Sequence, residues 1–556
     1  MSLRTTPQGV DSSTFNPAPF DHDLSIPELY QYHAEHSPDH PVFMYSDTEA
    51  GITHLITYRE AWQRILKAVT LISRQLELKP GSSKVVAVLA LSDTLSYMYL
   101  LIGIMSLGLT PFPMSPRNNA EATAHLLKQT GAPTIFTNTE GPSRALVTEA
   151  AGLLERDGVS LRILPMFKYE ELNFSPSLLR PMPKMVPIAV PETVLILHSS
   201  GTTAFPKPIN ITKKGMINLS NIPCYGELDL EGKRIAAHTN PTFHAMGLGT
   251  FIWPPSSGAI FAVYNPKPII PTPANFLAGW VADKCDIVFC VPAWAQDPDN
   301  IPRLAALDLI VFSGASVNKS IGDMLEVSGV TMHPFWGSTE IGPATMFIPR
   351  DPAPKGEWEY LYFKFSNHIT VSPPFNDALQ PTDICFPHII NTTYEDKPEF
   401  NVGDLLERHP TDANRWKVYG RTDDQIILST GENFNPLPIE GIISQDDNIR
   451  AAIMFGRHHL HTGILVQPVI DVDTAQQLHN FKDQIWSTIE KANLSAPAYA
   501  RIQKNMIIAT SPRKPLEFTP KGTPRRQVAL RLYAAEIEAL YGPQGPLADR
   551  QFPDRA

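Results

Sequence analysis

The sequence predicts an α/β protein with a large N-terminal domain of mostly parallel sheets and a small α+β domain at its C-terminal end. The chain has 556 residues, which is too long for one ordinary domain. Short continuous apolar runs, typical of strands covered on both faces, alternate with helical patterns along most of it. From residue 415 to 541 the pattern changes to short strand candidates and two longer helix candidates.

The first 190 residues show this alternation. Thr57 and Glu60 form a capping-box pattern, and apolar residues then recur at helical spacing through 65–76. A strand is predicted at 85–91. The apolar segment 97–109 is shorter than the roughly 20 residues of a membrane span, so a buried helix is expected there.

Further runs divide the chain into domains. Strands are predicted at 194–197, 287–291, 309–312, 451–455, 463–466 and 506–509, and helices at 474–493 and 524–541. We predict a large domain over 1–420, a polar connection at 421–424, a small domain over 425–541, and a Gly/Pro-rich tail or linker at 542–556.

Composition and charge exclude several functions. The net charge is −10 with no clustered basic run, so no nucleic-acid partner is expected. No membrane association is predicted. The four cysteines form no C-x-x-C pair and are too few for a disulfide scaffold, and the N-terminus lacks an apolar signal core. We expect a cytoplasmic protein.

A loop rich in hydroxyl residues and glycine follows the predicted strand at 194–197. Such a loop can turn several N–H groups toward phosphates, and Lys207 adds a positive charge. The pattern is not a Walker loop. From these residues alone, a loop without a ligand remains the alternative. The predicted phosphate-binding residues are Ser199, Ser200, Gly201, Thr202, Thr203 and Lys207.

The stretch HSSGTTAFPKP at 198–208 resembles the signature loop of the adenylate-forming superfamily, which includes acyl-CoA synthetases, luciferases and adenylation domains of nonribosomal peptide synthetases. With GLTPFPMSPR at 108–117 it resembles, more narrowly, the fungal synthetase-like carboxylic acid reductases. The family usually has glycine where Ala204 and Pro208 stand. The resemblance covers nearly the whole chain. It implies the adenylation fold, a mobile C-terminal domain, and ATP-dependent activation of a carboxylic acid.

The motif FWGSTE at 335–340 resembles the family's aromatic-Gly-x-Thr-Glu motif. The resemblance implies that Thr339 contacts the α-phosphate and that Glu340 holds Mg²⁺. Trp336, in the place of the usual tyrosine, would stack on adenine, and Gly337 follows it. A buried tryptophan beside a solvated glutamate is the alternative.

Other family motifs appear in the expected order. Gly314 and Ala315, after the strand at 309–312, correspond to a loop beside adenine and the acyl group. Asp404 resembles the aspartate that binds the ribose hydroxyls, and Arg421 the arginine that reaches the nucleotide. Asp423 matches the hinge aspartate about which the small domain rotates. Turn and cap roles are the alternatives for both aspartates.

The catalytic lysine departs from the usual Gly-Lys pattern. The family bridges the substrate carboxylate and the α-phosphate with a lysine from a C-terminal loop, and such a charge favours a reaction between two anions. Here the sequence reads PKGT at 520–523, so the lysine lies two residues earlier than usual. We predict Lys521, with Arg525 second; a surface lysine without a role is the alternative.

For the substrate, the sequence predicts a class of acid and does not identify the acid. Amino-acid-activating domains commonly carry an aspartate near the motif at 240–247, and none occurs between 240 and 258. An aryl, alkyl or keto acid is therefore favoured over an α-amino acid. His244, Trp294 and Ala315 are candidate pocket residues, although a structural role for His244 is equally compatible.

The acyl acceptor is expected to be a phosphopantetheine thiol. The segment 429–433 resembles the pantetheine entrance, and no Gly-Gly-x-Ser carrier site follows residue 541. A carrier domain would act in cis in a longer protein or in trans. Two alternatives remain: a free-standing acyl- or aryl-CoA ligase, which shares these motifs, and a non-catalytic interaction module, which the displaced lysine and altered loop would fit.

Overall fold

The structure is a computed structural model that describes part of the chain. The described residues are 5–47, 50–76, 84–173, 193–198, 206–267, 272–290, 300–313, 317, 319–363, 369–372, 384–390, 399–401, 403–412, 414–421, 424–429, 433–457, 459–519 and 522–541. Among the predicted site residues, the loop 199–203, Trp294, Gly314, Ala315, Asp423 and Lys521 therefore lie outside the described residues.

The N-terminal part alternates helices and strands as predicted. Its elements are α1 (Ile26–His36), β1 (Pro41–Asp47), β2 (Ile52–Thr57), α2 (Tyr58–Gln75), β3 (Val85–Leu89), α3 (Thr94–Ser106), β4 (Thr110–Pro113), α4 (Ala120–Thr130), β5 (Thr134–Thr137), α5 (Pro142–Arg156) and β6 (Arg162–Pro165). The capping box is confirmed, because the Thr57 hydroxyl accepts from the Glu60 amide at the start of α2. The apolar segment near residue 100 is α3, and it is buried on all sides.

The central part contains the elements that carry most of the predicted motifs. They are β7 (Leu195–His198), β8 (Pro208–Ile211), α6 (Lys213–Ser220), β9 (Arg234–Ala236), α7 (Ala245–Ile252), α8 (Pro254–Ser257), β10 (Ile260–Ala262), α9 (Pro273–Ala282), β11 (Ile287–Cys290), α10 (Ile301–Leu304), β12 (Leu309–Phe312), α11 (Lys319–Val327), β13 (Met332–Pro334), β14 (Gly337–Ser338) and β15 (Gly342–Pro343).

Two sheets of the large domain are mostly or entirely parallel, as predicted. Seven of the described strands form one sheet in the order β13-β12-β11-β9-β10-β1-β2, and every neighbouring pair except β1 with β2 is parallel. Four others form a parallel sheet in the order β4-β3-β5-β6. Strands β3, β5, β11 and β12 are almost entirely buried, which explains their continuous apolar runs in the sequence.

An antiparallel sheet follows and reaches the domain connection. Its strands are β16 (Leu361–Tyr362), β17 (Ile369–Ser372), β18 (Ile384–Ile390), β19 (Glu399–Asn401), β20 (Asp404–Arg408) and β21 (Arg415–Arg421). In the register of β20 and β21, Asp404 lies opposite Arg421. This pairing places two of the predicted nucleotide-binding residues side by side.

The C-terminal part has hydrophobic cores of its own. Its elements are β22 (Ile426–Ile427), β23 (Asn433–Phe434), α12 (Leu437–Ile443), β24 (Ile449–Phe455), β25 (Gly463–Pro468), α13 (Ala475–Gln484), α14 (Trp486–Ser495), β26 (Ile507–Ala509), α15 (Arg526–Leu532) and α16 (Ala534–Tyr541). The sheet β24-β25-β26 packs one core on each face: Ile464 and Val466 enter one cluster, and Leu465 enters the other.

The two helices predicted here are each interrupted. The segment 474–493 divides into α13 and α14 at Ile485, and 524–541 divides into α15 and α16 at Tyr533. The Tyr533 hydroxyl donates to the Lys514 carbonyl and accepts from the Ser511 amide. This tertiary anchor holds Tyr533 outside helical geometry, and periodicity cannot show it. No helix in the described part of the chain is long and apolar enough to cross a membrane.

Candidate active site

The carboxyl ends of the parallel strands bring the sequence motifs to one edge of the seven-stranded sheet. The loop containing His244 follows β9, Ser313 follows β12, and Phe335 and Trp336 follow β13. In open α/β sheets, ligands bind at this edge. The fold therefore brings together motifs that are separated by almost a hundred residues in the sequence.

The predicted phosphate-binding loop connects the two strands of a hairpin. β7 and β8 pair antiparallel with His198 opposite Pro208, so both ends of the loop are fixed. The buried imidazole of His198 accepts a hydrogen bond from the Ser115 amide across 3.0 Å. Ser115 belongs to the 108–117 motif. This hydrogen bond therefore connects the segment 108–117 to His198, the first residue of the 198–208 motif. Lys207 lies exposed at the base of the hairpin.

Thr339 and Glu340 occupy the turn of a second hairpin. β14 and β15 pair Gly337 with Pro343 and Ser338 with Gly342, and the residues between them form the turn. A Cβ on Gly337 would lie 2.3 Å from the Gly342 carbonyl oxygen, so the strands approach this closely because residue 337 has no side chain. The close packing of the two strands therefore requires glycine at position 337. The hairpin formed by these strands carries Thr339 and Glu340 in its turn.

Trp336, Asp404 and Arg421 form one hydrogen-bonded chain. The Trp336 indole N–H donates to Asp404 Oδ2 across 2.7 Å, and Arg421 Nη1 donates to Asp404 Oδ1 across 3.1 Å. Trp336 is 7% exposed and packs with Leu361, Leu406 and Trp416. The indole of Trp336 therefore helps to hold the carboxylate of Asp404 in place. Stacking of its ring on adenine stays a prediction.

The turn at Thr339 and Glu340 also fits a magnesium site. Mg²⁺ is usually bound by one or two carboxylates together with substrate phosphates and water. The carboxylate of Glu340 and the neighbouring hydroxyls supply oxygen donors of this kind, and Ser338 Oγ is buried without a hydrogen-bond partner among the described residues. No group of three or more His, Cys, Asp or Glu residues that could hold a metal occurs in the described part.

The loop before α7 is packed tightly against the sheet edge. Thr239 Oγ1 donates to the Phe289 carbonyl at the end of β11 across 2.9 Å. A Cβ on Gly247 would lie 1.9 Å from the Pro241 carbonyl oxygen, which fixes the turn around His244. His244 is half-buried at the N-terminus of α7. This position is compatible with a pocket role, and that role stays a prediction.

A buried hydrogen bond between His238 and Asp283, next to this loop, could not be predicted from the sequence. His238 Nε2 lies 3.0 Å from Asp283 Oδ2, and both side chains are about 1% exposed. Gly279 allows this packing, because a Cβ there would lie 2.9 Å from the imidazole. His238 and Asp283 are 45 positions apart in the sequence, and no local pattern marks them. The pair anchors α9 beneath the loop that carries His244.

The residues flanking Lys521 form a tight hairpin. The Thr519 amide donates to the Thr523 carbonyl across 2.7 Å, the Gly522 amide donates to the Thr519 carbonyl, and Phe518 bridges to Pro524. Gly522 has φ of +80°, a conformation that favours glycine. The turn therefore favours glycine at position 522. Arg525, the second candidate, is the N-cap residue immediately before α15 and is half-buried.

A cluster next to the domain connection was also missed in the sequence. Buried Arg526 contacts Asp424 through Nε, at 3.1 Å from Oδ1, and Glu440 through Nη2. Burial alone would lower the pKa of Arg526, and the charges of Glu440 and Asp424 outweigh this effect and raise it. An arginine that begins a polar helix shows no such role from sequence alone. Asp424 directly follows the predicted hinge residue.

The fold is an α/β architecture followed by a C-terminal part with cores of its own, and comparison with known proteins identifies the class of this protein. Residues 30–361 match the AMP-binding enzyme family and residues 423–544 match the AMP-binding enzyme C-terminal domain. The chain belongs to the AMP-binding enzyme family.

Relatives of the chain support the narrower resemblance. The adenylate-forming reductase Nps10 of Heterobasidion annosum is 34% identical over 96% of this chain and 51% of its own length. The carboxylic acid reductase of Neurospora crassa is 25% identical over 88% of this chain and 47% of its own length. The chain thus spans about half the length of these relatives.

Solved structures agree with the fold. The anthranilate CoA ligase AuaEII in complex with anthranoyl-AMP aligns with a TM-score of 0.68 at 14% identity, over 93% of this chain and 98% of that one. The acetoacetyl-CoA synthetase of Streptomyces lividans aligns with a TM-score of 0.68 at 16% identity, over 90% and 81%. The predicted adenylation fold is confirmed.

Proposed function

We propose that this chain is the adenylation unit of a carboxylic acid reductase or related synthetase-like enzyme. It would activate a small aryl, alkyl or keto acid with ATP and Mg²⁺ and transfer the acyl group to the phosphopantetheine thiol of a carrier domain, in cis or in trans, in the cytoplasm. The Trp336–Asp404–Arg421 chain carries this proposal, because it fixes a carboxylate at the ligand-binding edge of the sheet.

In the first step, an oxygen of the substrate carboxylate attacks the α-phosphorus and pyrophosphate leaves. Asp404 accepts hydrogen bonds from the ribose hydroxyls while Arg421 and Trp336 hold it in place. Thr339 contacts the α-phosphate, and Lys521 bridges the two anionic reactants, where a preorganised charge lowers the barrier. The loop 199–203 and Lys207 bind the outer phosphates. Mg²⁺ at Glu340 would neutralise phosphate charge.

In the second step, the thiol sulfur attacks the acyl carbon and AMP leaves. This step needs the small domain to turn about Asp423, so that the segment 429–433 replaces the lysine hairpin at the site. The relatives named reductases support a carrier-bound thioester as the product.

Acid-dependent exchange of pyrophosphate into ATP tests the first step, over a panel of aryl, alkyl, keto and amino acids. We expect one class of acid to support exchange, and Lys521→Ala to abolish it while ATP binding persists. Binding of ATP without exchange for any acid would instead favour a non-catalytic module. Exchange that survives Lys521→Ala would transfer the role to Arg525.

Addition of CoA distinguishes a carrier-dependent enzyme from a free-standing acyl- or aryl-CoA ligase. A carrier-dependent enzyme should release little acyl-CoA and should load a phosphopantetheinylated carrier domain. Rapid release of acyl-CoA would identify a free-standing ligase. Glu340→Gln should raise the Mg²⁺ concentration needed for half-maximal exchange; unchanged Mg²⁺ titrations would remove it as the metal ligand.

A further inference from the structure

The buried residue Thr345 lies next to the backbone of Trp336, whose indole holds the carboxylate of Asp404. Thr345 is 1% exposed. The Trp336 amide donates to Thr345 Oγ1 across 3.1 Å, and the same hydroxyl faces the Trp336 carbonyl oxygen at 3.5 Å. The Ala344 amide donates to that carbonyl across 3.0 Å. Both backbone polar groups of Trp336 are therefore bonded to the segment 344–345.

The Thr345 hydroxyl takes the place of a backbone acceptor in the ladder that continues β14 and β15. That hairpin pairs Gly337 with Pro343, so Trp336 and Ala344 are the next residues to face each other. Facing residues of an antiparallel pair can exchange two backbone hydrogen bonds. Here the Ala344 amide makes one of them, and the Trp336 amide donates to the side chain of Thr345. A single side-chain oxygen thus fixes the backbone at this position.

The residue after Thr345 is anchored to the antiparallel sheet that carries Asp404. The Met346 amide donates to the Tyr362 carbonyl on β16 across 3.0 Å. β16 pairs with β21, and β21 pairs with β20, whose first residue is Asp404. Trp336, in contrast, follows β13 at the edge of the seven-stranded sheet. Thr345 therefore joins the segment that leaves the parallel sheet to the sheet on which the indole finds its acceptor.

We propose that Thr345 is a positioning residue of the nucleotide site. Its hydroxyl fixes the backbone of Trp336, and this backbone aims the indole N–H at Asp404 Oδ2. A hydrogen bond to a carboxylate is strong only when it is short and well aligned, so a small rotation of the backbone weakens it. The inference rests on the proposed function, which gives Asp404 its role toward the ribose hydroxyls. Without the Thr345 hydroxyl, the carboxylate is held less firmly and ATP binds more weakly.

Thr345→Val removes the hydroxyl and keeps the branched shape of the side chain. Because the Trp336 amide loses its acceptor, we expect the Kd for ATP, measured by calorimetric titration, to rise about fivefold. Thr345→Ser keeps a hydroxyl and should restore most of the affinity. Thr462→Val is the matched control, because Thr462 is also 1% exposed and its hydroxyl donates to the Ala500 carbonyl across 3.1 Å. This control should lower the melting temperature and leave the Kd for ATP unchanged.

The indole N–H signal of Trp336 in a nuclear magnetic resonance spectrum tests the same link without any ligand. The chain has eight tryptophans, and isotope labelling of their indole nitrogens with Trp336→Phe as reference identifies this signal by its loss. A bond to a carboxylate moves an N–H proton downfield, so Thr345→Val should move the signal upfield and Thr462→Val should not. An unmoved signal in Thr345→Val would overturn the inference. If the valine variant does not fold, Thr345→Ala is compared with Thr345→Ser by the same criterion.

Double variants separate this inference from the proposed function. In a Trp336→Phe chain, Thr345→Val should cause no further loss of ATP affinity, because the bond that it positions is already absent. A multiplicative loss would overturn the inference, since Thr345 would then act independently of the indole. Wild-type affinity in Thr345→Val beside weakened binding in Asp404→Asn would overturn the inference alone. Wild-type affinity in Asp404→Asn would instead contradict the proposed ribose contact, and the indole signal would still decide whether Thr345 positions Trp336.

Discussion

The indole N–H of Trp336 donates to the carboxylate of Asp404 across 2.7 Å, although the two residues are 68 positions apart in the chain. A hydrogen bond to a charged acceptor is short and about twice as strong as a neutral one. This hydrogen bond joins the motif that follows β13, an edge strand of the seven-stranded sheet, to Asp404, the first residue of β20. Several expectations depend on this arrangement.

Trp336→Phe tests the hydrogen bond separately from the packing. The ring stays apolar, and the donor to Asp404 is lost, so we expect KM for ATP to rise about tenfold, as loss of a charge-assisted bond implies. Trp416→Phe, in the same hydrophobic cluster, serves as the control. Steady-state exchange kinetics measure both; equal effects in the two variants would assign the tryptophan to packing alone.

Asp404→Asn removes the carboxylate that Arg421 and Trp336 hold. We expect ATP affinity to fall by about tenfold or more, since an amide cannot accept from both donors and the ribose with the same charge. Glu407→Gln is the matched control on the same strand, because its ion pair with Lys417 at 3.3 Å is partly exposed and contributes little. Calorimetric titration with ATP checks both, and wild-type affinity in Asp404→Asn would exclude the ribose role.

Gly337→Ala should damage the turn that carries Thr339 and Glu340. Its Cβ would lie 2.3 Å from a backbone oxygen, so the hairpin has to open. We expect adenylation to fall about a hundredfold, which corresponds to under 3 kcal/mol of transition-state stabilisation. Gly152→Ala in α5 is the control, because open space surrounds that glycine and alanine favours a helix. Normal activity in Gly337→Ala would show that the turn tolerates rearrangement.

The free energy of unfolding should decrease as the pH is lowered, because of the imidazole of His333 on β13. Burial lowers the pKa of His333 to about 4, although its hydrogen bond to the Met346 carbonyl opposes this. The unfolded chain, with a pKa near 6.5, binds the proton more readily than the folded one. The stabilisation is therefore complete above about pH 6.5 and is lost progressively toward pH 4, by about 3 kcal/mol.

Denaturant unfolding between pH 7 and 4 measures this loss. His333→Gln should reduce the pH dependence of the free energy of unfolding, whereas His479→Gln should leave it unchanged because His479 is 69% exposed. An identical slope for His333→Gln and the wild type would contradict the assignment. His33, whose pKa burial lowers to about 3, should add a similar slope of its own.

Local pattern was sufficient for most elements of the large domain. The strand at 309–312 has the predicted bounds, and the buried helix near residue 100 and the capping box at Thr57 are confirmed. Continuous apolar runs arise because both faces of a parallel strand are covered, and this leaves a signal in a few adjacent residues. The site motifs could be predicted because each lies in a short segment that resembles the family.

The sequence by itself determined the fold class, and it predicted the domain bounds and the catalytic residues. Only the tertiary structure decided how those residues are held: Trp336 against Asp404, His238 against Asp283, and Arg526 against Asp424. It also broke the predicted C-terminal helices at Ile485 and Tyr533. The physical reason is range, since propensity and periodicity act over a few residues, whereas these contacts depend on strand register and packing between distant segments.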